Sequence, residues 1–183
     1  MGLGGPFVNR PLDILRASAE ALDRLCRLHK LHERVIARFP QQWGFVYNNG
    51  ALAARDLGVL RAREAETRTG AERETAMTAA MALWEQSYRW YEEAAKLSPD
   101  DARIQNDTGL MLVYYLNRDF DRARALFDRA IAIGQPQIDA LPADAPATER
   151  NDREEAVGDA YQNIAVLMQK HLKEPFDAVK PFL

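Results

Sequence analysis

The chain lacks most of the features by which secreted and membrane proteins are recognised. Cys26 is its single cysteine, so no internal disulfide can form, which fits a reducing compartment. No apolar run approaches the ~20 residues needed to cross a bilayer. The first residues also lack the apolar core of a signal peptide. From these absences we expect a cytoplasmic protein that has no membrane partner.

An excess of positive charge is also absent. The sequence has 24 Lys and Arg against 27 Asp and Glu, and its formal net charge is -3. Acidic residues are interleaved with the arginines throughout, which is typical of a solvated surface of mixed sign rather than a phosphate-binding stripe. A general nucleic-acid binder usually carries a strongly basic face. The charge balance therefore predicts no nucleic-acid partner.

Arrangements of residues that carry chemistry are lacking as well. There is no Ser/His/Asp arrangement, Gly-rich phosphate loop or zinc-protease motif. Cys26, His29 and Glu33 share helical spacing and are metal-ligand types, but a structural zinc site needs four ligands and no second cluster exists. A helix surface with a semi-buried thiol is the alternative, and His171 is placed to interact with the carbonyls at a helix end. We predict no catalytic residue, no metal and no cofactor.

What the sequence does contain is helical periodicity along nearly all its length. It predicts helices over 11–39, 43–57, 76–97, 102–116, 120–133 and 153–172, with a seventh beginning near Pro175. Pro40, Gly58 and Gly134 are expected to end the first, second and fifth of them. Residues 59–75 fit either a loop or a helical extension, and 135–152, which contains three prolines, is predicted to be a long loop. The fold class is therefore all-α.

Three short stretches recur, each with a small residue in the middle of a predicted helix. Gly50, Gly109 and Ala165 are separated by 59 residues (109 − 50) and 56 residues (165 − 109). Such a spacing is typical of stacked helical hairpins. The small residues would allow the two helices of each hairpin to approach closely, and we expect them to pack against Ser87, Ala123 and Val179.

The best-defined unit covers 101–133, with Gly109, then D-F-D-R-A at 119–123, Phe127 and Ala130. The second helix of the preceding unit ends in A-A-K-L-S-P. These features resemble the tetratricopeptide repeat (TPR) family, although its unit of ~34 residues is shorter. The resemblance implies a single TPR-like α-solenoid of antiparallel helical hairpins over 1–183, with about seven helices. Its units would be approximately a half unit at 11–40, then 43–99, 101–134 and a truncated 153–183, with Ala123 and Ala130 as packing positions.

The resemblance also implies a concave groove, lined by the first helices of successive units, that binds a peptide or a partner helix. Carried onto this chain, its lining comprises Tyr47, Asn48, Arg55, Asn106, Leu110, Tyr114, Gln162, Asn163, Val166 and Lys170. Amide side chains both donate to and accept from a peptide backbone. Alternatively, these polar residues cap or bridge neighbouring helices.

We interpret the chain as a bacterial, cytoplasmic scaffold that binds a protein or peptide. One alternative is a structural segment of a larger polypeptide, whose groove is filled by its own flanking sequence. Another is a metal protein or enzyme centred on Cys26 and His29. The aromatic cluster around Trp84 is expected to be core, whereas Trp90 lies off the main apolar stripe and fits either core packing or a partner contact.

Overall fold

The computed structural model describes residues 11–40 and 42–173, with side chains from Glu20 onward. In these residues all regular structure is helical and no strand is present, which confirms the all-helical class. The predicted seventh helix, which contains Val179, lies outside the described residues. Six helices follow one another: α1 (Pro11–Arg38), α2 (Gly44–Glu66), α3 (Gly70–Leu97), α4 (Ala102–Leu110), α5 (Phe120–Asp139) and α6 (Ala147–Val166).

Helices that are neighbours along the chain also pack together in space. The most extensive pairing is between α2 and α3, followed by α4 with α5 and α5 with α6, while α1 packs on α2. In addition, α4 contacts α6 directly. The main core lies among α3, α4, α5 and α6, and its largest fully buried side chains include Tyr91, Phe127, Met111, Leu112 and Ile164.

Two of the recurring glycines lie where helices approach closely. A Cβ at Gly109 would come within 2.7 Å of the Phe127 ring of α5, and Phe127 is itself fully buried. A Cβ at Gly50 would lie 3.1 Å from the Trp90 ring of α3 and 3.2 Å from His32 of α1. The absence of a side chain therefore allows aromatic rings to pack directly against the backbone of α2 and α4.

The partners of these small residues differ from the expected ones. Phe127 rather than Ala123 covers Gly109, and Ser87 donates its hydroxyl hydrogen to the carbonyl of Ala51 over 2.7 Å instead of facing Gly50. Ala123 and Ala130 are fully buried, and Ala165 is 3% exposed. The small positions are therefore buried, but large aromatic side chains fill the space that they leave.

Gly58 and Gly134 do not end their helices, and both of those predictions were wrong. Each helix continues beyond its glycine. A Cβ at Gly58 would lie 2.4 Å from Trp84 Nε1, and one at Gly134 would lie 2.4 Å from Val157 Cγ2. A glycine inside a helix costs about 1 kcal/mol relative to alanine. Here it leaves room for a neighbouring side chain, so a pattern that usually marks a helix end marks a packing contact.

The two connecting segments are shorter than the sequence suggests. Residues 59–75 are mostly helical, because α2 continues to Glu66 and α3 begins at Gly70, whose φ of +54° is one that glycine adopts readily. Similarly, α5 continues through Pro136, so the connection predicted over 135–152 is confined to 140–146. Tertiary hydrogen bonds hold this last turn: Gln137 donates to the Asp100 carbonyl, and Arg153 donates to the Gln137 carbonyl.

Helices α4 and α6 end in the same unusual way. Each continues into a six-residue π-helical segment, Met111–Leu116 after α4 and Leu167–Leu172 after α6. The segments begin 56 residues apart (167 − 111), the spacing of Gly109 and Ala165. Each is followed by a left-handed residue, Asn117 or Lys173. Each segment thus lengthens its helix by six residues before the chain turns.

Candidate functional site

Side chains from α4, α6 and the π-helical segment between them form a hydrogen-bonded chain. The Tyr114 hydroxyl donates to Asn163 Oδ1 over 3.0 Å, and Asn163 Nδ2 donates to Asn106 Oδ1 over 2.9 Å. Asn106 Nδ2 in turn lies 3.4 Å from Asp107 Oδ1. Each group donates to the next one along the chain, and only the last donor, Asn106 Nδ2, reaches the Asp107 carboxylate. The chain connects a half-exposed tyrosine ring to a half-buried carboxyl group.

Within this hydrogen-bonded chain of side chains, Asp107 is the titratable group whose pKa is shifted most. Burial raises its pKa from an ordinary 3.8 to about 6, although the charges of Arg55 and Arg103 and the bond from Asn106 act in the opposite direction. Both arginines are engaged elsewhere, Arg55 with Asp56 and Arg103 with Glu155. The site therefore contains a carboxyl group that changes charge close to neutral pH.

The Tyr91 hydroxyl, which interacts electrostatically with Asp107, has no hydrogen-bond partner among the described residues. Tyr91 is fully buried, and its burial raises the pKa of the phenol. The charges of Asp107 and Arg55 also act on that pKa, which places the phenol in the same electrostatic environment. A buried hydroxyl without a partner costs roughly 1–3 kcal/mol. Together with Asp107 it places two polar groups in a poorly solvated part of the helical core.

The structure separates the ten predicted groove residues by burial. Tyr114, Gln162 and Lys170 are exposed, and the half-buried members are Asn48, Arg55, Leu110 and Val166. Tyr47, Asn106 and Asn163 are buried: Tyr47 packs with Ala94 and Ile104 in a small apolar cluster, and the two asparagines bond to each other. The buried asparagines thus bridge helices, which is the alternative that the sequence left open for them.

Other residues singled out from the sequence have structural partners. His29 is buried, bonds to Gln86 of α3 over 2.9 Å and packs against Trp90 at 5.5 Å between ring centroids. Within the described part of the chain, no group of three or more His, Cys, Asp or Glu side chains is arranged to hold a metal ion. His171 packs against the Phe120 ring. None of the helices that the structure describes combines the length and apolar character that crossing a membrane requires.

A separate cleft of about 550 Å³ lies where the turn after α3 meets the ends of α5 and α6. Its arginines are already bonded within the chain. Arg103 donates to Glu155 and to the Asp152 carbonyl, and Arg153 donates to Glu149 and to the Gln137 carbonyl. These contacts join neighbouring helices, so we assign the cleft a structural role.

Sequence reasoning missed Asp107 as a member of the site. It lies in the recurring stretch that contains Gly109, and a carboxylate in a predicted helix looks like an ordinary surface residue. Its equivalent 56 residues later is Asn163 (107 + 56), an amide that also points into the same chain. The replacement of a carboxylate by an amide at an equivalent position of the repeat is the sequence signal that could have identified Asp107 as a site residue.

Comparison of the chain with protein-family models, curated proteins and solved structures found no match.

Proposed function

We propose that this protein is a non-enzymatic interaction scaffold of TPR-like, solenoidal architecture, which binds a peptide or a partner helix along the groove formed by α4 and α6. The proposal is supported by the pairing of helices along the chain and by the direct contact between α4 and α6. It is also supported by the 56-residue repetition of their small residues and π-helical ends. Stacked hairpins of this kind present extended surfaces to partners.

The observation that carries the proposal is a pair of equivalent residue lines on adjacent helices. Leu110 and Tyr114 on one line correspond to Val166 and Lys170 on the other, each 56 residues later. The first member of each line is half-buried and the second is exposed. The Asn106–Asn163 bond ties the two lines together below the surface.

The chemistry of this surface suits an extended chain or a helix more than a small molecule. The Tyr114 ring is 46% exposed although its hydroxyl is bonded, so it offers an apolar face to a ligand. Gln162 provides a free-standing amide that can donate to and accept from a peptide backbone. Lys170 adds a cation at the end of the same line, which favours a partner with an acidic residue there.

Site-specific photocrosslinking tests the proposal. A photoreactive phenylalanine analogue at Gln162 should capture a discrete partner in cells of the source organism. The same analogue at Ala132, an exposed position on α5, serves as the matched control. The captured protein is then purified, and its affinity is measured for the native chain and for Tyr114→Ala with Gln162→Ala.

We expect the double variant to weaken binding at least about 10-fold, because an aromatic contact and a backbone-binding amide are both lost. Circular dichroism melting should show that the variant is still folded. Equal capture from Gln162 and Ala132, or an unchanged affinity of the folded double variant, would contradict the groove as the binding surface.

A further inference from the structure

The junction between α1 and α2 exposes a continuous set of aromatic rings. Phe39 and Trp43 pack with 5.6 Å between ring centroids, and Trp43 and Phe45 with 6.3 Å. Their exposed fractions are 42%, 43% and 63%. These three rings alone leave roughly 300 Å² of apolar surface in contact with water. The largest apolar patch on a typical monomer is ~300–600 Å² and is often functional.

The patch continues along α1. Leu28 and Leu31 are 43% and 55% exposed and lie on the helical line that leads through Val35 to Phe39. Another side of this helix faces α3, since His29 and Glu33 both contact Gln86. The leucine line is therefore the unpartnered side of an amphipathic helix.

Helix α2 also exposes apolar residues, and one of them, Phe45, adjoins the α1 patch through Trp43. Phe45 and Leu52 are seven residues apart on one of its faces, and both are exposed. The two helices touch where His32 meets Gly50. The leucines of α1 and the aromatic rings at the α1–α2 junction together form an apolar surface on which another helix can pack.

The charges on the part of α1 that carries this patch are mostly positive. From Arg24 to Arg38, α1 carries five basic residues, Arg24, Arg27, Lys30, Arg34 and Arg38, and one acidic residue, Glu33. Glu33 faces Gln86 on the α3 side, so it does not neutralise the patch. Arg27 pairs with Asp23, which lies one turn earlier. The other four basic residues have no acidic partner among the described residues, so unmatched positive charge borders the leucine line.

This charge pattern selects among possible occupants. A second copy of the chain docked through α1 would place arginines against arginines, which is unfavourable at an interface. A helix with an apolar face bordered by Glu and Asp would instead match both the shape and the sign of the surface.

We propose that the surface formed by Leu28, Leu31, Phe39, Trp43 and Phe45 docks an amphipathic helix whose apolar face is flanked by acidic residues. The surface is separate from the groove along α4 and α6, and the inference does not depend on the proposed function. It assigns the chain a second contact region at its α1–α2 edge.

The probe is a fluorescein-labelled peptide of roughly three heptads, with leucine along one face, glutamate on both flanks and alanine elsewhere. Fluorescence anisotropy with the full chain should give a Kd on the order of 10 µM, the range of a small, transient interface. A peptide with lysine in place of each glutamate should bind at least about 10-fold more weakly. The affinity for the glutamate peptide should fall as salt rises, since screening weakens the charge contacts.

Two variants of the chain locate the binding surface. Leu31→Ser with Phe45→Ser should weaken binding of the glutamate peptide at least about 10-fold. The matched control is Met77→Ser with Met81→Ser, which changes two exposed apolar side chains of α3 and should leave the affinity unchanged. The variant Arg34→Glu with Arg38→Glu tests separately whether the positive charge of α1 contributes to binding of the glutamate peptide. Arg73→Glu with Arg89→Glu, at exposed positions of α3, controls for the change in net charge.

Several results would overturn the proposal. One is the absence of binding by the glutamate peptide, and another is equal binding of the lysine peptide. Loss of binding in Tyr114→Ala, but not in Leu31→Ser with Phe45→Ser, would move the contact to the groove. Sedimentation that shows a dimer abolished by the latter variant would identify a second copy as the occupant. Binding to phosphatidylserine-containing vesicles without peptide binding would identify a lipid surface.

Discussion

Asn163 of α6 donates its side-chain amide to the side-chain oxygen of Asn106 of α4 over 2.9 Å, and both residues are buried. A buried amide pair holds two helices in one register, because any slip leaves polar groups unpaired in the core. Tyr114 adds a bond to the same Asn163 from the surface side. The residues of the proposed groove on α4 and α6 therefore lie above a buried polar contact between these two helices.

Removing either asparagine should destabilise the protein more than its lost bond alone suggests. Asn106→Ala and Asn163→Ala each leave the other amide buried without this partner, and we expect each to lower the free energy of unfolding by about 1–3 kcal/mol. The double variant should lose clearly less than the two single effects combined, with a coupling of about 1 kcal/mol. Urea unfolding of the four proteins measures this. Additive effects would mean that the two amides do not interact in solution.

Gly109 should be intolerant of any side chain. Its Cβ position lies 2.7 Å from Phe127, which is fully buried and cannot move aside, so Gly109→Ala should destabilise by about 1–3 kcal/mol and Gly109→Leu should prevent stable folding. Gly158 of α6 is the matched control, since a Cβ there meets nothing within 4 Å. Gly158→Ala should stabilise by about 0.5–1 kcal/mol through helix propensity alone. Thermal melting gives the comparison, and a stabilising effect of Gly109→Ala would disprove the close approach.

Asp107 should make the protein less stable as pH rises. Its folded pKa of about 6 lies above the ordinary 3.8, so the native state binds the proton more tightly than the unfolded state does. The resulting stability is present below pH 3.8 and is lost as pH rises through about 6, an effect of about 2–3 kcal/mol. Asp107→Asn should therefore be more stable than the native chain at about pH 7.5 and equal to it at about pH 3.5.

Asp121→Asn, an exposed position on α5, controls for the loss of one negative charge in that experiment. Free energies of unfolding at several pH values, taken as differences from the native chain, remove the contribution of all other carboxyl groups. A difference that does not change across this pH range would contradict the burial of the Asp107 carboxyl group.

The positions of the helices were predictable, whereas several of their ends were not. Periodicity reports which face of a segment is buried, and this signal is strong for residues such as Phe127 and Ala130 on α5. A glycine in the sequence indicates only that a side chain is absent at that position, and it does not indicate why. At Gly58 and Gly134 the reason lies in Trp84 and Val157, which belong to other helices and cannot be identified from local sequence.

The candidate site was predictable in part for the same reason. Asn106, Asn163 and Tyr114 were predicted because the TPR resemblance places them on the first helices of successive units, where a groove would lie. That they bond to one another depends on how α4 packs against α6, which local periodicity does not encode. Asp107 was missed because its altered pKa arises from burial by other helices, a property of the assembled fold rather than of the residue's neighbours in sequence.

The ends of the two π-helical segments provide a further test of the repeat. Lys173 adopts a left-handed conformation with a φ of 55°, as Asn117 does with a φ of 50°. Asparagine tolerates this region better than lysine, and glycine tolerates it best. Lys173→Gly should therefore raise the free energy of unfolding by about 0.5–1 kcal/mol. Lys170→Gly, inside the π-helical segment, should lower it by a similar amount, because glycine there only adds backbone freedom. Chemical denaturation of both variants distinguishes them, and a loss of stability in Lys173→Gly would show that α6 does not end in the same way as α4.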